Sequence, residues 1–341
     1  MSSTKISTRR RTVNPQAVGV VAATVLIFVV FSVLSPAFLG LDNLRDLAIS
    51  ACVNAIIGLG LTFVIITGGI DLSVGSTASF VGVVSATLMV KADMPSIPAI
   101  AVGLVIGCLC GALNGILITR LRLQPFIVTL GTMSVYQGLA YVVTNGVPVY
   151  NIPADFTTML NGYVGGVPVM VIIVLVLGVL AWALLRRTLF GENVLATGGS
   201  DETAWLSGVR VARVKVLVYM IAGGCAALAG LILVARIDAA QTDGGSPYLL
   251  TAIASAVIGG ANLMGGEGRI SGTLLGALIL AALTNGLVLL NVPSFYEQIV
   301  TGVVVVLAVS LDRSAGYLRF LRRPPSRSGS DAQPVEQEAT A

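Results

Sequence analysis

The sequence predicts an all-α polytopic membrane protein of about ten transmembrane helices, within a range of eight to ten, with both termini cytoplasmic. Three observations carry this expectation. Only 11% of the 341 residues are charged and 55% are hydrophobic, whereas soluble domains carry roughly 25% charged residues. Apolar runs near the length of about 20 residues that a helix needs to cross a bilayer recur along the chain. Basic residues fall in alternate gaps between those runs, as cytoplasmic loops require.

The expected spans are 16–35, 46–67, 73–90, 97–118, 125–144, 167–185, 214–236, 249–265, 271–291 and 295–311. Residues 1–15 form a basic cytoplasmic N-terminus with Lys5, Arg9, Arg10 and Arg11. The first apolar run resembles a signal peptide, but it is long enough to span and no A-x-A site follows, so it reads as a retained anchor. Residues 16–312 form a single membrane domain, and 313–341 a basic cytoplasmic tail whose Pro- and Ser-rich end is expected to be disordered. Arg120, Arg122, Arg186, Arg187, Arg210, Arg213, Lys215 and Arg269 all fall inside on this topology. Lys91, beside Asp93, falls outside. The loop 145–166 is external and polar, and 186–213 is the longest ordered cytoplasmic stretch.

Several functions are excluded. The chain has no histidine, which removes imidazole metal sites, haem ligation and His-dependent catalysis. It has no G-x-x-x-x-G-K-[ST] phosphate loop, so it does not itself hydrolyse ATP. Cys52, Cys108, Cys110 and Cys225 lie in apolar runs without metal-type spacing and read as small buried hydrophobes. The basic clusters flank spans rather than forming a face on a folded domain, so they suit membrane anchoring and not nucleic acid.

Small residues mark helix contacts. Gly103, Gly107, Gly111 and Gly115 recur every fourth residue; Gly223, Ala227 and Gly230 repeat the device, as do Gly272 and Gly276. Such stripes let helix backbones approach closely. Polar stripes are different in kind. Asn54, Gly58 and Thr62 share one face of the second span, and Thr129, Thr132 and Tyr136 one face of the fifth, with Gln137 alongside. Polar faces turn inward in a bilayer. They serve either as interhelical hydrogen bonds or as a neutral lining for a hydroxylated solute.

The sharpest local feature is the run Thr67-Gly68-Gly69-Ile70-Asp71-Leu72-Ser73-Val74-Gly75-Ser76. Two glycines interrupt an apolar stretch and set a carboxylate at its edge. Asp71 or Ser73 can accept hydrogen bonds from the N–H groups opening the next helix. A break of this kind is tolerated only where its backbone is buried in protein or lines a cavity. Asp71 is thus either a cap or a functional group. A related run, Gly265-Gly266-Glu267-Gly268-Arg269-Ile270-Ser271-Gly272-Thr273, shares the pattern G-G-x₅-G-[ST] and the same predicted side.

The run Ile66–Ser76 closely resembles the signature of permeases in bacterial ABC importers of the ribose/xylose/galactose class. The resemblance continues in order through Thr144-Asn145-Gly146-Val147-Pro148-Val149, Ala196-Thr197-Gly198-Gly199, Leu206-Ser207-Gly208-Val209, Arg213-Val214-Lys215, Ile258-Gly259-Gly260, Gly265-Gly266 and Thr284-Asn285-Gly286-Leu287. It departs at Pro247-Tyr248-Leu249-Leu250-Thr251-Ala252-Ile253, where the family commonly carries an acidic pair, and at Trp205, where a small residue is more usual. The resemblance implies a second permease subunit, identical or homologous, a cytosolic ATP-binding subunit that holds ATP and Mg²⁺, and an extracytoplasmic sugar-binding protein. It implies no cofactor in this chain, a multi-pass location in the bacterial cytoplasmic membrane, and a path near Gly68, Gly69, Asp71, Ser73, Gly75, Ser76 and Asn145. Between Glu192 and Val209, Ser200-Asp201-Glu202 starts a short helix that Gly208 ends. Trp205, Leu206 and Val209 give it an apolar face suited to a groove on another protein, with Gly198, Gly199 and Ser207 beside it. A surface helix at the lipid interface is the other reading.

The expected function is import of a monosaccharide or similar polyol, driven by ATP hydrolysed in a partner subunit. A branched-chain amino-acid permease shares the architecture; Asp71 and Leu206-Ser207-Gly208 favour the sugar branch. An ion-coupled secondary transporter would need mid-membrane carboxylates, and only Asp71 and Glu297 come near.

Overall fold

A computed structural model describes residues 15–304 and 306, with side chains described from residue 18. The expectations for the basic N-terminus and the tail 313–341 lie outside the described residues. The protein is an all-α polytopic membrane protein. Its elements are α1 (Pro15–Leu34), α2 (Leu41–Ile66), α3 (Val74–Lys91), α4 (Ser96–Leu121), α5 (Pro125–Thr144), α6 (Ala154–Asn161), α7 (Val169–Arg187), α8 (Leu189–Gly199), α9 (Asp201–Leu206), α10 (Val211–Ile237), α11 (Tyr248–Ile258) and α12 (Ile270–Leu289). A two-strand hairpin, β1 (Tyr163–Val164) and β2 (Val167–Pro168), follows α6, and residues 294–304 and 306 are helical.

Helix ends follow local chemistry. Arg122 takes the left-handed conformation that stops α4, and Pro125 opens α5, where its missing N–H costs nothing. Asn145 at φ 55° and Gly146 at φ 76° end α5, and the Gly146 N–H closes onto the Tyr141 carbonyl at 3.0 Å.

Among the described residues seven helices are long and apolar enough to cross a membrane: α2, α3, α4, α5, α7, α10 and α12. The expected span 249–265 is corrected. Its helix is only the 11 residues of α11, about 16 Å at the usual rise, half a hydrocarbon core. Composition alone made it look longer, because Gly259, Gly260, Gly265 and Gly266 sit among apolar letters. Gly259 caps the helix, and Gly260 at φ 91° turns the chain away. At its other end the chain re-enters the bundle. Residues 238–247 leave α10 as turns. The Gly245 N–H meets the Ser79 hydroxyl of α3 at 2.9 Å. Thr251, near the start of α11, donates to Asn54 at 2.6 Å. Asn54 lies near the middle of α2, roughly 18–20 Å from either end, so α11 begins at mid-bundle.

Two central helices organise the rest. α2 packs on α10, α11 and α12, while α10 packs on α2, α3 and α4. They run antiparallel, since Gly69 lies against Tyr219, Gly60 against Ala222 and Cys225, and Arg236 donates to Ser50 at 2.9 Å. The set α2–α3–α4 clasping α10 is therefore answered by α10–α11–α12 clasping α2, in the manner of an inverted repeat. α1 lies outside this pair against α12. There Phe31 stacks on Phe38, and Asn43 and Asn285 exchange amide hydrogen bonds at 3.0 and 2.9 Å.

The glycine stripes sit at these crossings. A Cβ at Gly111 would collide with the Tyr219 carbonyl oxygen, and one at Gly107 or Gly223 with the backbone of the opposing helix. Gly230 is closed by Ala78, Gly272 by Gly259, and Gly276 by Ser255. Such fits have no slack, whereas Gly131 on the outer face of α5 meets nothing within 4 Å. Gly111→Ala is expected to cost about 1–3 kcal/mol through backbone displacement, and Gly131→Ala close to none. Thermal unfolding of the detergent-solubilised protein, with membrane abundance, checks the contrast.

Candidate functional site: a buried break and a glycine junction

The first break is built from backbone outward. The Gly68 and Gly69 N–H groups close α2 onto the Ile65 and Val64 carbonyls at 2.9 and 3.0 Å. Gly68 turns the chain at φ 71°, a conformation that costs glycine no Cβ clash. A Cβ on Gly69 would stand 2.6 Å from the Tyr219 hydroxyl. The Ile70 carbonyl accepts Thr129 Oγ1 at 3.2 Å and Tyr219 OH at 3.4 Å. One orphaned backbone group is thus held by α5 and α10 together, which a bilayer interior demands.

Asp71 is 1% exposed. Its Oδ1 accepts the Ser73 N–H at 2.9 Å and the Ser73 hydroxyl at 2.7 Å. The Ser73 hydroxyl in turn accepts Asn114 Nδ2 at 2.8 Å, and Tyr136 OH donates to the Cys110 carbonyl at 2.9 Å and to Asn114 Oδ1 at 3.4 Å. Asp71 therefore closes the turn onto Ser73, the N-cap residue, and accepts none of the N–H groups of α3 itself. The Ser73 hydroxyl, however, makes no cap bond to the helix; it is spent on the carboxylate. Among the described residues no ion pair reaches Asp71, so neutral donors alone hold it.

The expected polar stripes separate in space. Thr129, Thr132 and Tyr136 belong to the Asp71 side: Thr132 donates to the Thr129 carbonyl at 3.3 Å, and all three are buried. Gln137 reaches the Thr242 carbonyl at 2.6 Å in the re-entrant segment. Gly75 abuts Gly245, and Ser76 donates to the Ser73 carbonyl at 2.9 Å. Asn54, Gly58 and Thr62 instead face α11 and α12. There Thr62 shares a 2.7 Å hydrogen bond with Thr273, and Gly58 touches Thr273 and Ala252. Asn145 is exposed at the end of α5. Sequence reasoning missed Asn114 and Tyr219. The available signal for Asn114 was an amide beside Gly115 in an otherwise apolar, glycine-striped span.

At the end of the bundle that carries α8 and α9, three glycine motifs meet. The Gly266 N–H donates to the Ile66 carbonyl at 2.8 Å. Gly198, in the last turn of α8, leaves no room for a Cβ beside that same Ile66 carbonyl, while Gly199 next to it is open. A Cβ on Gly265 would stand 2.7 Å from the Gly198 carbonyl oxygen and 3.1 Å from the Gly68 nitrogen. The two G-G-x₅-G-[ST] runs thus touch each other and α8. Beside them α9 is capped by Ser200, whose hydroxyl accepts the Thr203 N–H at 3.2 Å. Asp201 pairs with Lys215, Ser207 donates to the Thr203 carbonyl at 2.9 Å, and Gly208 ends the turn at φ 86°. Trp205 and Leu206 are 68% and 72% exposed, and Met264 at the junction 80%. Glu202 is exposed and Val209 half-buried. Among the described residues no group of three or more acidic or cysteine side chains could hold a metal ion.

Comparison with known proteins gives a consistent result. The family described as the permease component of branched-chain amino acid transport systems matches residues 43–309. The ribose import permease of Bacillus subtilis (strain 168) is 42% identical over 300 residues, 87% of this chain and 93% of its own. The D-allose transport system permease of Escherichia coli (strain K12) is 38% identical over 289 residues, covering 84% and 89%. The L-arabinose ABC transporter permease of Azospirillum brasilense is 36% identical over 305 residues, 89% of each. No solved structure matches the chain.

Removing a buried acceptor strands its donors at about 1–3 kcal/mol. Asp71→Ala is therefore expected to lower transport about tenfold or more while abundance falls less than about threefold, with Asp71→Asn between, since it keeps an acceptor oxygen. Uptake and immunoblotting on the same cells check this. A loss of transport that only tracks protein level would leave Asp71 a structural anchor of the break and nothing more.

Proposed function

We propose, from the premise that this chain belongs to the family of branched-chain amino acid transport system permease components, that its own cargo is a monosaccharide or similar polyol. The observation that carries the reading is near-full-length similarity to permeases named for ribose, allose and arabinose. Neutral hydroxyls and amides around the Asp71 break suit a neutral solute better than an ion, which would call for paired carboxylates or stacked carbonyls.

The chain is a multi-pass permease of the bacterial cytoplasmic membrane. We assign the α8–α9 end to the cytoplasm, because Arg120, Arg122, Arg186, Arg187, Arg210, Arg213, Lys215 and Arg269 all stand at helix ends or loops on that side. With α1, the segment 238–247 together with α11, and the helix from 294 each counted as one crossing, the chain crosses ten times and both termini are cytoplasmic. ATP and Mg²⁺ are bound by a cytosolic partner, a second permease subunit completes the path, and an extracytoplasmic binding protein delivers the sugar.

In this scheme no bond of the cargo is broken in this chain. The partner ATPase grips α9 through Trp205 and Leu206, and α8 carries the displacement to Gly198. There the Ile66 carbonyl, Gly265 and Gly266 lie in direct contact, so motion of α8 reaches both helix breaks without an intermediary. Gly68, Gly69, Asp71, Ser73 and the side chains around them then reset α3 against α4 and α5.

Exposed ion pairs are usually worth below about 1 kcal/mol, so reversing the charge of Asp201 or Glu202 is expected to do little. Truncating buried interface anchors commonly costs about 2 kcal/mol or more. Leu206→Asp is therefore expected to leave folded permease that neither co-purifies with the ATPase nor stimulates its hydrolysis in the presence of binding protein. Wild-type association and stimulation in that variant would move the docking surface away from α9.

A further inference from the structure

The re-entrant segment 238–247 places a charged side chain where no lipid can receive it. Three contacts fix its depth. Gln137, well inside α5, holds the Thr242 carbonyl at 2.6 Å. Ser79 of α3 receives the Gly245 N–H at 2.9 Å. Thr251, just beyond, reaches the middle of α2 at Asn54. Asp243 lies between the first two anchors, roughly two to three helical turns below the α6 end of α5. Yet Asp243, Gln241 and Ser246 are all exposed, and among the described residues no hydrogen bond or ion pair engages the Asp243 carboxylate.

A carboxylate facing hydrocarbon at such depth is costly, and intramembrane acids accordingly face water-filled cavities or partners. The surface around it agrees. On α5 the face running through Ser134, Gln137 and Gly138 is exposed or half-exposed and joins the segment through the Gln137–Thr242 bond. A glycine at 138 with nothing within 4 Å leaves that face flat and open.

We propose that Asp243, with Gln241, Ser246 and Gln137, forms the mid-membrane wall of the translocation path and receives the hydroxyl groups of a neutral sugar there. The chemistry fits the class. An ionised carboxylate is acceptor-only and takes two O–H donors from adjacent hydroxyls of a polyol, while the amides of Gln241 and Gln137 supply donors and acceptors together. A sugar without charge is held briefly and released, as a path requires. This rests on the sugar reading above, and Asp243 acts as a specificity-determining contact within it.

The test uses the assembled transporter in proteoliposomes, with Cys52, Cys108, Cys110 and Cys225 replaced. Asp243→Cys is expected to react with a membrane-impermeant methanethiosulfonate, and Val176→Cys on the outer face of α7 is not. Ribose with saturating binding protein during ATP turnover is expected to slow labelling at 243 about threefold or more. In the native-cysteine background, Asp243→Ala is expected to lower sugar delivered per ATP hydrolysed about tenfold, with Asp243→Asn milder. Absence of labelling at 243 in every nucleotide state, or an unchanged sugar-to-ATP ratio in Asp243→Ala, overturns the proposal. Labelling at 243 without uptake of ribose, allose or arabinose by the unmodified transporter would retain the water-filled wall and reject the sugar as its occupant.

Discussion

Inside a bilayer every backbone N–H and C=O must find its partner within the protein, and this chain departs from helix in three places that must obey it. In the stretch 67–73 the Ile70 carbonyl is taken by Thr129 and Tyr219, and the Ser73 N–H by Asp71. In 238–247 the Thr242 carbonyl is taken by Gln137, the Gly245 N–H by Ser79, and Ala240 pairs with Val149. In 259–269 the Gly266 N–H is taken by Ile66, and the Asn262 N–H by the Glu267 carbonyl. Ile70, Thr242, Gly245 and Gly266 are closed by residues of other helices, so the breaks tie the bundle together where continuous helices would leave it independent, while Asp71 and Glu267 close their own segments locally.

The glycine stripes follow from the same constraint. Lipid tails are as apolar as leucine, so helices in a membrane gain little by hiding apolar surface and depend on close packing instead. The α4–α10 and α11–α12 crossings have backbone against backbone, and that closeness is what brings Tyr219 within reach of Ile70 and Thr251 within reach of Asn54. The arrangement is also asymmetric in stiffness. Crossings without slack hold the two central helices, while the breaks hang on a few individual hydrogen bonds. At the α8–α9 end one such break touches Gly198 of α8, and α8 packs on α9, whose apolar residues lie open, so a force applied there arrives first at the least rigid part.

Much of this was legible from the letters. The positions of seven spans, the Asp71 break, the capped α9 with Gly208 behind it and the stripe of Gly103 to Gly115 all follow from local period and composition, which a membrane enforces strictly. Three things were not. The half-length α11 hid because glycine scores as apolar while breaking helices, so Ala254 to Met264 reads as continuous. The stripe at Asn54 and Thr62 and the one at Thr129 to Tyr136 read alike, as interhelical hydrogen bonds or as a lining, but which helix each face meets depends on tertiary contacts that no local pattern encodes. The runs after Gly68 and Gly265 share a spelling. Their kinship in space is contact, whereas the exchange of packing partners relates α2–α3–α4 to α10–α11–α12.

The central claim is that the breaks are closed at rest and are the parts that move. Hydrogen–deuterium exchange on the full transporter in lipid nanodiscs, read at rest and during ATP turnover, tests it most directly. The account predicts that amides of 67–73 and 259–269 are protected at rest like the flanking helices, and exchange faster during turnover, while the α4–α10 crossing stays unchanged. Fast exchange in 67–73 at rest, or acceleration spread equally over α4 and α10, would contradict it.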